Sequence, residues 1–302
     1  MKNAPFLHAV EYFVFRRFRN HLMRRSHQEV RELGAKVGGW AYGLLKSPRK
    51  KALGNLERVF PEKSADEREQ IARDCFRHFG SQFFESLSIE RFETSNILDQ
   101  FDLEGWEILE ELQAQEKGYF LHTGHYGSFE MALYPCGMLL DGYHGVVRPL
   151  DNPRINADLL AVRGKFGARI LSKAGVALKM RSAVRNGNPV AIIIDQHVRP
   201  SAGVKVPFLG HPAWTSNLLA SLAIKMKVPV VPFACLPIDG GRYRLEIRPP
   251  IWADDTIEDR AEAVLDLTSR IMAEVEKDIH RRPEWWLWMH RRWRDGDAPS
   301  KG

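Results

Sequence analysis

The sequence lacks several features that mark other classes of protein. Its 302 residues include only three cysteines, Cys75, Cys136 and Cys235, which lie far apart and form no CxxC pair. This spacing predicts neither a disulfide framework nor a cysteine-based metal site, and it favours a reducing compartment. No metal site is therefore predicted.

Long apolar runs are absent as well. No predominantly apolar stretch reaches the roughly 18 residues that a helix needs to cross a bilayer, since the longest uncharged run, residues 206–224, is interrupted by His211 and two prolines. The shorter uncharged runs at residues 118–129 and 228–238 suit core strands instead. A secretory signal is not predicted either, because Glu11, Arg16 and Arg17 interrupt the N-terminal apolar stretch. We expect a protein that does not cross a membrane but can lie on one.

Acidic residues are scarce at the N-terminal end. Residues 1–60 carry 13 Lys and Arg against 4 Asp and Glu, a net charge of +9, so the rest holds about −3 of the total of +6. A basic end on a nearly neutral body predicts an anionic partner, either a membrane surface or a nucleic acid. A solvated basic helix face is the alternative.

The order of predicted elements indicates the fold class. Residues 6–47 have helical periodicity, and Ser64-Ala-Asp-Glu67 is a capping box that opens another helix. Further on, strand and helix patterns alternate, which predicts an α/β domain with a mixed, largely parallel central sheet flanked by helices. The predicted strands are residues 101–104, 118–122, 144–147, 169–171, 190–194, 204–208, 228–234 and 243–248.

The same pattern predicts three segments. Residues 1–60 are expected to form basic amphipathic helices that associate with a membrane, residues 61–294 a single α/β domain, and residues 295–302 a flexible tail. Within the domain, helices are predicted at residues 128–138 and from Pro283 onward.

One motif, His125-Tyr-Gly-Ser-Phe-Glu130, pairs an imidazole with a carboxylate five residues later. On a helix, at about 100° per residue, these side chains would point roughly 140° apart, and on a strand they would lie on opposite faces. They converge only if the chain bends between them, which Gly124 and Gly127 permit. We predict His125 on a strand-to-helix turn and Glu130 in the first helical turn, where the helix dipole favours an ionised carboxylate. Such a pair would make His125 a general base.

Other polar residues stand at strand ends or on the next helix. Arg148 follows the strand 144–147, where α/β folds bind ligands, and its planar guanidinium suits phosphate. Asp195 follows the apolar strand 190–194 and could order an arginine or a ligand, or cap a turn. Arg163 is a further ligand-binding candidate, with surface ion pairing as the alternative.

The motif resembles the His-x4-Asp/Glu signature of the lysophospholipid acyltransferase superfamily. Its form, TGHxGxxE, is similar to the bacterial lipid A biosynthesis (late) acyltransferases and their phosphatidylinositol-mannoside acyltransferase relatives. Residues 147–153, 194–210 and 283–293 resemble three further blocks of that family in the expected order. The sequence Asp195-Gln196-His197 departs from the Asp-His-Asp that is commoner in the lipid A enzymes.

The resemblance implies a glycerolipid acyltransferase-like fold and an O-acyltransferase. His125 would deprotonate a hydroxyl that attacks an acyl thioester, with Glu130 fixing the tautomer of the imidazole. Arg148, Arg163 and Asp195 would bind substrate, and backbone N–H groups around Gly124 and Gly127 are oxyanion candidates. No metal and no cofactor would be needed, because the thioester is already activated.

The implied partners are acyl-carrier protein or acyl-CoA as donor and a membrane glycolipid, such as a lipid A precursor, as acceptor. The implied location is peripheral or monotopic, on the anionic cytoplasmic face of the bacterial inner membrane. Two alternatives remain: acylation of a phosphatidylinositol mannoside, an aminolipid or a lysophospholipid, and a catalytically silent membrane-binding protein. No RNA- or DNA-binding motif is present, so no nucleic-acid partner is expected.

Overall fold

A computed structural model describes residues 4–172 and 175–294, and the predicted tail at residues 295–302 lies outside this range. The described part contains ten α-helices and nine strands. The helices are α1 (Ala4–Met23), α2 (His27–Leu44), α3 (Lys46–Val59), α4 (Ala65–Ser88), α5 (Glu107–Ala114), α6 (Leu133–Leu139), α7 (Pro153–Gly164), α8 (Val176–Arg185), α9 (Leu218–Met226) and α10 (Arg260–Arg281). The strands are β1 (Phe101–Glu104), β2 (Phe120–Thr123), β3 (His144–Val147), β4 (Arg169–Ser172), β5 (Val190–Ile193), β6 (Gly203–Phe208), β7 (His211–Ser216), β8 (Val230–Pro237) and β9 (Tyr243–Ile247).

Seven strands form the central sheet, in the order β1-β9-β8-β2-β5-β3-β4. Neighbouring strands run parallel apart from the antiparallel pair β8–β9. The predicted α/β fold with a mixed, largely parallel sheet is confirmed. Two apolar clusters pack against the central sheet, one containing Phe120 and Val275 and the other Leu121 and Val231.

The N-terminal helices pack on α4. The stretch predicted as helical over residues 6–47 is divided by a second capping box, in which Ser26 and Glu29 satisfy each other's backbone N–H groups. Helix α2 then lies very close to α4, since a Cβ added to Gly38 would come within 2.1 Å of the carbonyl oxygen of Phe76. The division of the chain at residue 60 stays a prediction.

Two predicted helices differ from the structure. The helix predicted to begin at residue 128 begins at Leu133, because residues 128–134 first form turns in which the N–H groups of Met131, Leu133 and Tyr134 bond the carbonyl three residues earlier. The helix predicted from Pro283 is a single 3₁₀ turn, Pro283–Trp285, followed by extended chain. That extended chain forms an antiparallel bridge between Trp286 and Tyr126 and so becomes part of the site described below.

A short hairpin was predicted only in part. Residues 204–208 were expected to be extended, and they form β6, but the partner strand β7 was not predicted. The two strands are joined at Leu209 and Gly210, which both adopt positive φ, at 50° and 76°. This is the twist that a tight hairpin turn requires.

Candidate active site

His125 and Asp195 are brought together by the register of two neighbouring strands. In the parallel pair β2–β5, Thr123 is level with Ile193. Continuing that register by two residues past each strand end puts His125 level with Asp195. Both residues therefore lie at the carboxyl edge of the sheet, where open α/β folds bind ligands.

His125 makes two short hydrogen bonds to the carboxylate of Asp195, one from its side chain and one from its backbone. Nδ1–H of His125 donates to Oδ1 of Asp195 at 2.6 Å, and the backbone N–H of His125 donates to Oδ2 at 2.7 Å. Asp195 is only 1% exposed, whereas the side chain of His125 is 23% exposed. The carboxylate is thus enclosed, and the imidazole that it holds remains accessible.

Asp195 is ionised in this setting. Burial by itself would raise the pKa of its carboxyl group, but the imidazole of His125 and hydrogen bonds from His125 and Trp286 hold the pKa well below its usual range. An ionised carboxylate at Nδ1 keeps the proton of the neutral imidazole on that nitrogen. Nε2 consequently carries a lone pair and can accept a proton.

The C-terminal segment completes the surroundings of Asp195. The indole Nε1–H of Trp286 donates to Oδ2 of Asp195 at 2.9 Å. The bridge to the histidine turn supplies two more bonds: Gly127 N–H donates to the carbonyl of Trp285 at 3.0 Å, and Leu287 N–H donates to that of His125 at 3.1 Å. Residues 285–287 therefore fix the turn and its carboxylate together.

Two N-terminal helices hold that segment in place. From α3, Asn55 Nδ2 donates to the carbonyls of Trp288 and His290, at 2.9 and 2.8 Å. From α4, the thiol of Cys75 donates to the carbonyl of Trp286 at 3.1 Å. All three cysteines are buried free thiols. The helical segment and the α/β body thus both contribute to the site.

The two glycines of the motif are required by close approach. A Cβ on Gly124 would lie 2.6 Å from Cγ1 of Val275 and 3.2 Å from Oδ2 of Asp195. Gly127 adopts φ +57°, and a Cβ there would lie 2.4 Å from the carbonyl oxygen of Cys235. Glycine thus allows the bend to pass under α10 and against β8, which agrees with the bend predicted between His125 and Glu130.

Glu130 does not orient His125. Its Oε1 accepts from Nε of Arg163 at 2.8 Å, and the two ring nitrogens of His125 contact Asp195 and Gln196 instead. Glu130 lies in the turns that precede α6, so it is not in the first turn of that helix. This corrects the predicted pairing: Asp195 takes the orienting position. A catalytic contribution of Glu130 by another route stays a prediction.

The predicted substrate-binding residues differ in their exposure and in their partners. Both oxygens of Asp195 are occupied and the residue is buried, which corrects its prediction as a residue that binds substrate. Arg148 is exposed directly after β3 and makes no hydrogen bond or ion pair with other described residues, so it remains available to an anion. Arg163 is largely enclosed by its pairing with Glu130, and its role in substrate binding stays a prediction.

One of the two predicted oxyanion donors is unavailable. The N–H of Gly127 is donated to Trp285, and the neighbouring N–H groups of His125 and Ser128 are donated to Asp195 and to the carbonyl of Cys235. This corrects the prediction for Gly127, because a committed donor cannot serve an oxyanion. Gly124 stays a prediction.

Gln196 and His197, the two residues that follow Asp195, were not predicted as functional. The side-chain amide of Gln196 donates from Nε2 to Nε2 of His125 at 3.2 Å. The backbone N–H of His197 donates to Nε2 of His290 at 3.1 Å, and burial lowers the pKa of His290 to about 4. His290 is therefore neutral near pH 7. The departure of residues 195–197 from the commoner Asp-His-Asp was the signal that marked this loop.

The imidazole of His125 has no nucleophilic side chain at hydrogen-bond distance within the described part of the chain. Among the residues that the structure describes, the side-chain partners of the imidazole are Asp195 and Gln196, with neither Ser nor Cys. The same residues contain no cluster of three or more His, Cys, Asp or Glu that could hold a metal ion. The expectation that no metal or cofactor is needed stays a prediction. A base so arranged suits an enzyme that activates a hydroxyl of its substrate for direct group transfer.

Comparison with known proteins identifies the family. The family model for the bacterial lipid A biosynthesis acyltransferases matches residues 7–295. The chain belongs to this family, as its motifs predicted, and it is an acyltransferase. It is 30% identical to the lipid A biosynthesis lauroyltransferase of Escherichia coli K12, over 90% of this chain and 88% of that protein. It is 27% identical to the palmitoleoyltransferase of the same strain, over 87% of this chain and 84% of that protein. The myristoyltransferase of that strain is 26% identical, over 84% of this chain and 78% of that protein.

Proposed function

We propose that the chain transfers a fatty acyl group from acyl-carrier protein, or from acyl-CoA, to a hydroxyl of a lipid A precursor or a similar phosphoglycolipid. The observation that carries this proposal is the pairing of His125 with Asp195, which leaves Nε2 of an accessible imidazole unprotonated. The lipid A biosynthesis names of the relatives support the class of acceptor.

The proposed reaction needs no covalent enzyme intermediate. Nε2 of His125 takes the hydroxyl proton while the hydroxyl oxygen bonds to the carbonyl carbon of the thioester. The tetrahedral intermediate then collapses, the carbon–sulfur bond breaks, and the imidazolium returns the proton to the leaving thiolate. Asp195 stays ionised throughout and stabilises the imidazolium. The products are an ester and a free thiol, and His125 is neutral again.

Arg148 is the proposed contact for a phosphate of the acceptor or the donor. It lies at the carboxyl end of β3, in the same sheet and at the same edge as His125. Its exposure and its lack of a partner among the described residues leave the guanidinium free to bind two phosphate oxygens. We propose Arg163, paired with Glu130, as a second basic group for the acceptor.

Helix α1 supports an approach from a membrane surface. Phe6, Phe13 and Val14 are 76%, 64% and 59% exposed, which is unusual for apolar side chains on a helix of a globular protein. The helix is held beside the loop after β3, since Asn152 Nδ2 donates to the carbonyl of His8 at 2.9 Å. Within the described residues, no helix has the length and apolar composition to span a bilayer. We propose that α1 lies in the cytoplasmic surface of the inner membrane and faces anionic lipids.

An acyl-transfer assay tests the proposal. The purified full chain is given a lipid A precursor with acyl-carrier protein thioesters or with acyl-CoA, and the product is identified by mass spectrometry. We expect one donor to be used, and we expect His125→Ala to lower kcat by roughly 10²–10⁴-fold while the fold, checked by circular dichroism, is unchanged. Equal rates for wild type and His125→Ala would overturn the proposal.

A deletion strain tests the acceptor separately. We expect its lipid extract to accumulate a lipid A precursor that lacks one acyl chain. Accumulation of an underacylated phosphatidylinositol mannoside, aminolipid or lysophospholipid would replace lipid A by that acceptor and leave the chemistry in place. An unchanged lipid profile together with an inactive purified protein would favour the silent membrane-binding alternative.

A further inference from the structure

Acyl transfer needs a donor for the oxygen of the thioester carbonyl, which gains negative charge as the hydroxyl attacks. The turn that carries His125 offers few free donors. The N–H groups of His125, Gly127 and Ser128 are all given to acceptors within the protein. The donor for this oxygen is therefore expected to be a side chain close to Nε2 of His125.

The side chain of Gln196 is such a donor. Its Nε2 lies 3.2 Å from Nε2 of His125, on the side of the ring that must receive the substrate proton. Because Asp195 keeps the imidazole proton on Nδ1, Nε2 of the ring has a lone pair that only a donor can satisfy, and the amide NH₂ is one. Gln196 is half-buried, and its side chain makes no second hydrogen bond with the described residues.

The amide and a substrate hydroxyl compete for the same lone pair. A hydroxyl that gives its proton to Nε2 of His125 must take the position that the amide occupies in the free enzyme. A hydrogen bond between neutral partners contributes little net free energy, so the hydroxyl can replace it. The displaced NH₂ stays beside the hydroxyl oxygen, and the carbonyl under attack lies about 3 Å from that oxygen.

We propose that Gln196 is a catalytic amide that caps Nε2 of His125 in the free enzyme and, once displaced by the substrate hydroxyl, donates to the developing oxyanion of the thioester. This inference rests on the proposed function. Gln196 exchanges one acceptor for another and neither gains nor loses a proton. The proton balance of the reaction is therefore unchanged: the hydroxyl proton passes to His125 and from there to the leaving thiolate.

The amide also explains how the base is kept ready before the substrate arrives. Asp195 fixes one ring nitrogen and Gln196 the other, so the plane of the imidazole is held from both sides. Both partners belong to the short loop after β5, and the next residue, His197, anchors His290 through its backbone N–H. A shift of this loop would move all three contacts together.

Two substitutions separate this role from simple packing. Gln196→Ala removes the donor, and we expect kcat to fall about 10²–10³-fold with KM within about threefold, the loss typical of one oxyanion donor. Gln196→Glu keeps the size but places a negative charge beside the imidazole, which favours the imidazolium. We expect this variant to lose at least as much activity and to move the acidic limb of the pH profile of kcat/KM to higher pH.

Gln115→Ala is the matched control. Gln115 is an exposed glutamine in the loop before β2, at the opposite edge of the sheet from His125, and we expect its replacement to leave kcat and KM unchanged. All three variants and the wild type are compared in the acyl-transfer assay above, and their thermal unfolding midpoints are measured to confirm folding. Should Gln196→Ala fail to fold, the shift of the acidic limb in Gln196→Glu still tests the proposal.

The outcomes distinguish this proposal from the proposed function. Wild type that transfers no acyl group defeats the proposed function itself. Active wild type with a Gln196→Ala variant whose kcat stays within threefold, or whose loss lies in KM alone, overturns the role of Gln196 and leaves the base assignment intact. An unmoved acidic limb in Gln196→Glu would likewise contradict a position beside Nε2 of His125.

Discussion

His125 and Asp195 are separated by 70 residues in the chain, yet Nδ1 of the imidazole and Oδ1 of the carboxylate are 2.6 Å apart. They meet because β2 and β5 are adjacent, parallel and in a register that ends both strands level. The tautomer of the imidazole is therefore set by the sheet and by a buried carboxylate. The local turn contributes the bend and the exposure of the ring.

Replacement of Asp195 by Asn tests this dependence. The Asn side chain fills the same space, but its NH₂ group would face Nδ1 as a donor and favour the tautomer with the proton on Nε2. That tautomer cannot accept a proton from a hydroxyl, and we expect kcat to fall by about 10³–10⁴-fold. Steady-state kinetics and a thermal unfolding midpoint measure the loss and confirm the fold.

Glu130→Gln is the comparison for that variant. Because Glu130 contacts Arg163 and not the imidazole, its loss of kcat is expected to be at least tenfold smaller than that of Asp195→Asn. Equal losses in the two variants would restore Glu130 as the partner of His125 and contradict the arrangement in the structure.

The ion pair between Glu130 and Arg163 makes a separate prediction about stability. Their side chains are 23% and 17% exposed, so the pair is largely buried and only partly accessible to water. Glu130→Gln and Arg163→Met should each destabilise the fold, and the double variant should be less destabilised than the sum by about 0.5–2 kcal/mol. Urea unfolding of the four proteins gives this coupling. The exposed pair Glu69–Arg73 on α4 is the matched control, with an expected coupling of about 0.3–0.5 kcal/mol. Equal couplings for the two pairs would mean that the enclosure of Glu130 and Arg163 adds nothing.

The sequence predicted most of what is local in this fold. Strands β1 and β3 have the predicted bounds: β1 alternates apolar and acidic residues, and β3 ends in two valines before Arg148 and Pro149. The bend after His125 was also predicted, because Gly124 and Gly127 permit it. The capping box at Ser26 was overlooked, although its pattern is the same as the one recognised at Ser64.

The pairing of His125 with Asp195 could not be predicted, because it depends on the order of the strands in the sheet. Two strands, β3 and β4, come between β2 and β5 in the chain, so nothing local shows that β2 and β5 are neighbours. Without that adjacency the nearest carboxylate in sequence, Glu130, was the natural partner for His125. Trp286 shows the same limit: its indole reaches Asp195 only because the C-terminal segment pairs with the histidine turn.

Stability should depend on the protonation of buried histidines, of which His122 is the clearest. It is 1% exposed, its Nδ1–H donates to the carbonyl of Ile192 at 2.9 Å, and its Nε2 has no hydrogen-bond partner among the described residues. Burial lowers its pKa from 6.5 to about 4. Between pH 6.5 and 4 the unfolded chain therefore binds a proton at His122 that the native state does not bind. The free energy of unfolding is unaffected by this residue above pH 6.5 and decreases as the pH falls towards 4. At pH 5 the loss from this one residue is about 2 kcal/mol.

His122→Asn removes that titration. In urea unfolding at pH 7 and pH 5, we expect the variant to lose about 2 kcal/mol less than wild type between the two conditions. The exposed residue His21, replaced in the same way, is the control and should leave the pH dependence of unfolding unchanged. An identical pH dependence in wild type and His122→Asn would show that the imidazole of His122 binds a proton as readily in the native state as in the unfolded chain.

Membrane binding should depend on the exposed apolar face of α1. We expect the double variant Phe6→Ser/Phe13→Ser to keep its unfolding midpoint, since both side chains are largely in solvent, and to lose most of its binding to vesicles in flotation assays. Binding of wild type should need anionic lipid and weaken at high salt, because each arginine near the surface contributes about 1 kcal/mol. Trp252→Ser, at a residue 48% exposed outside α1, is the control and should bind as wild type does. Flotation of the double variant equal to that of wild type would exclude α1 as the contact, and no flotation of wild type with anionic vesicles would exclude the membrane surface itself.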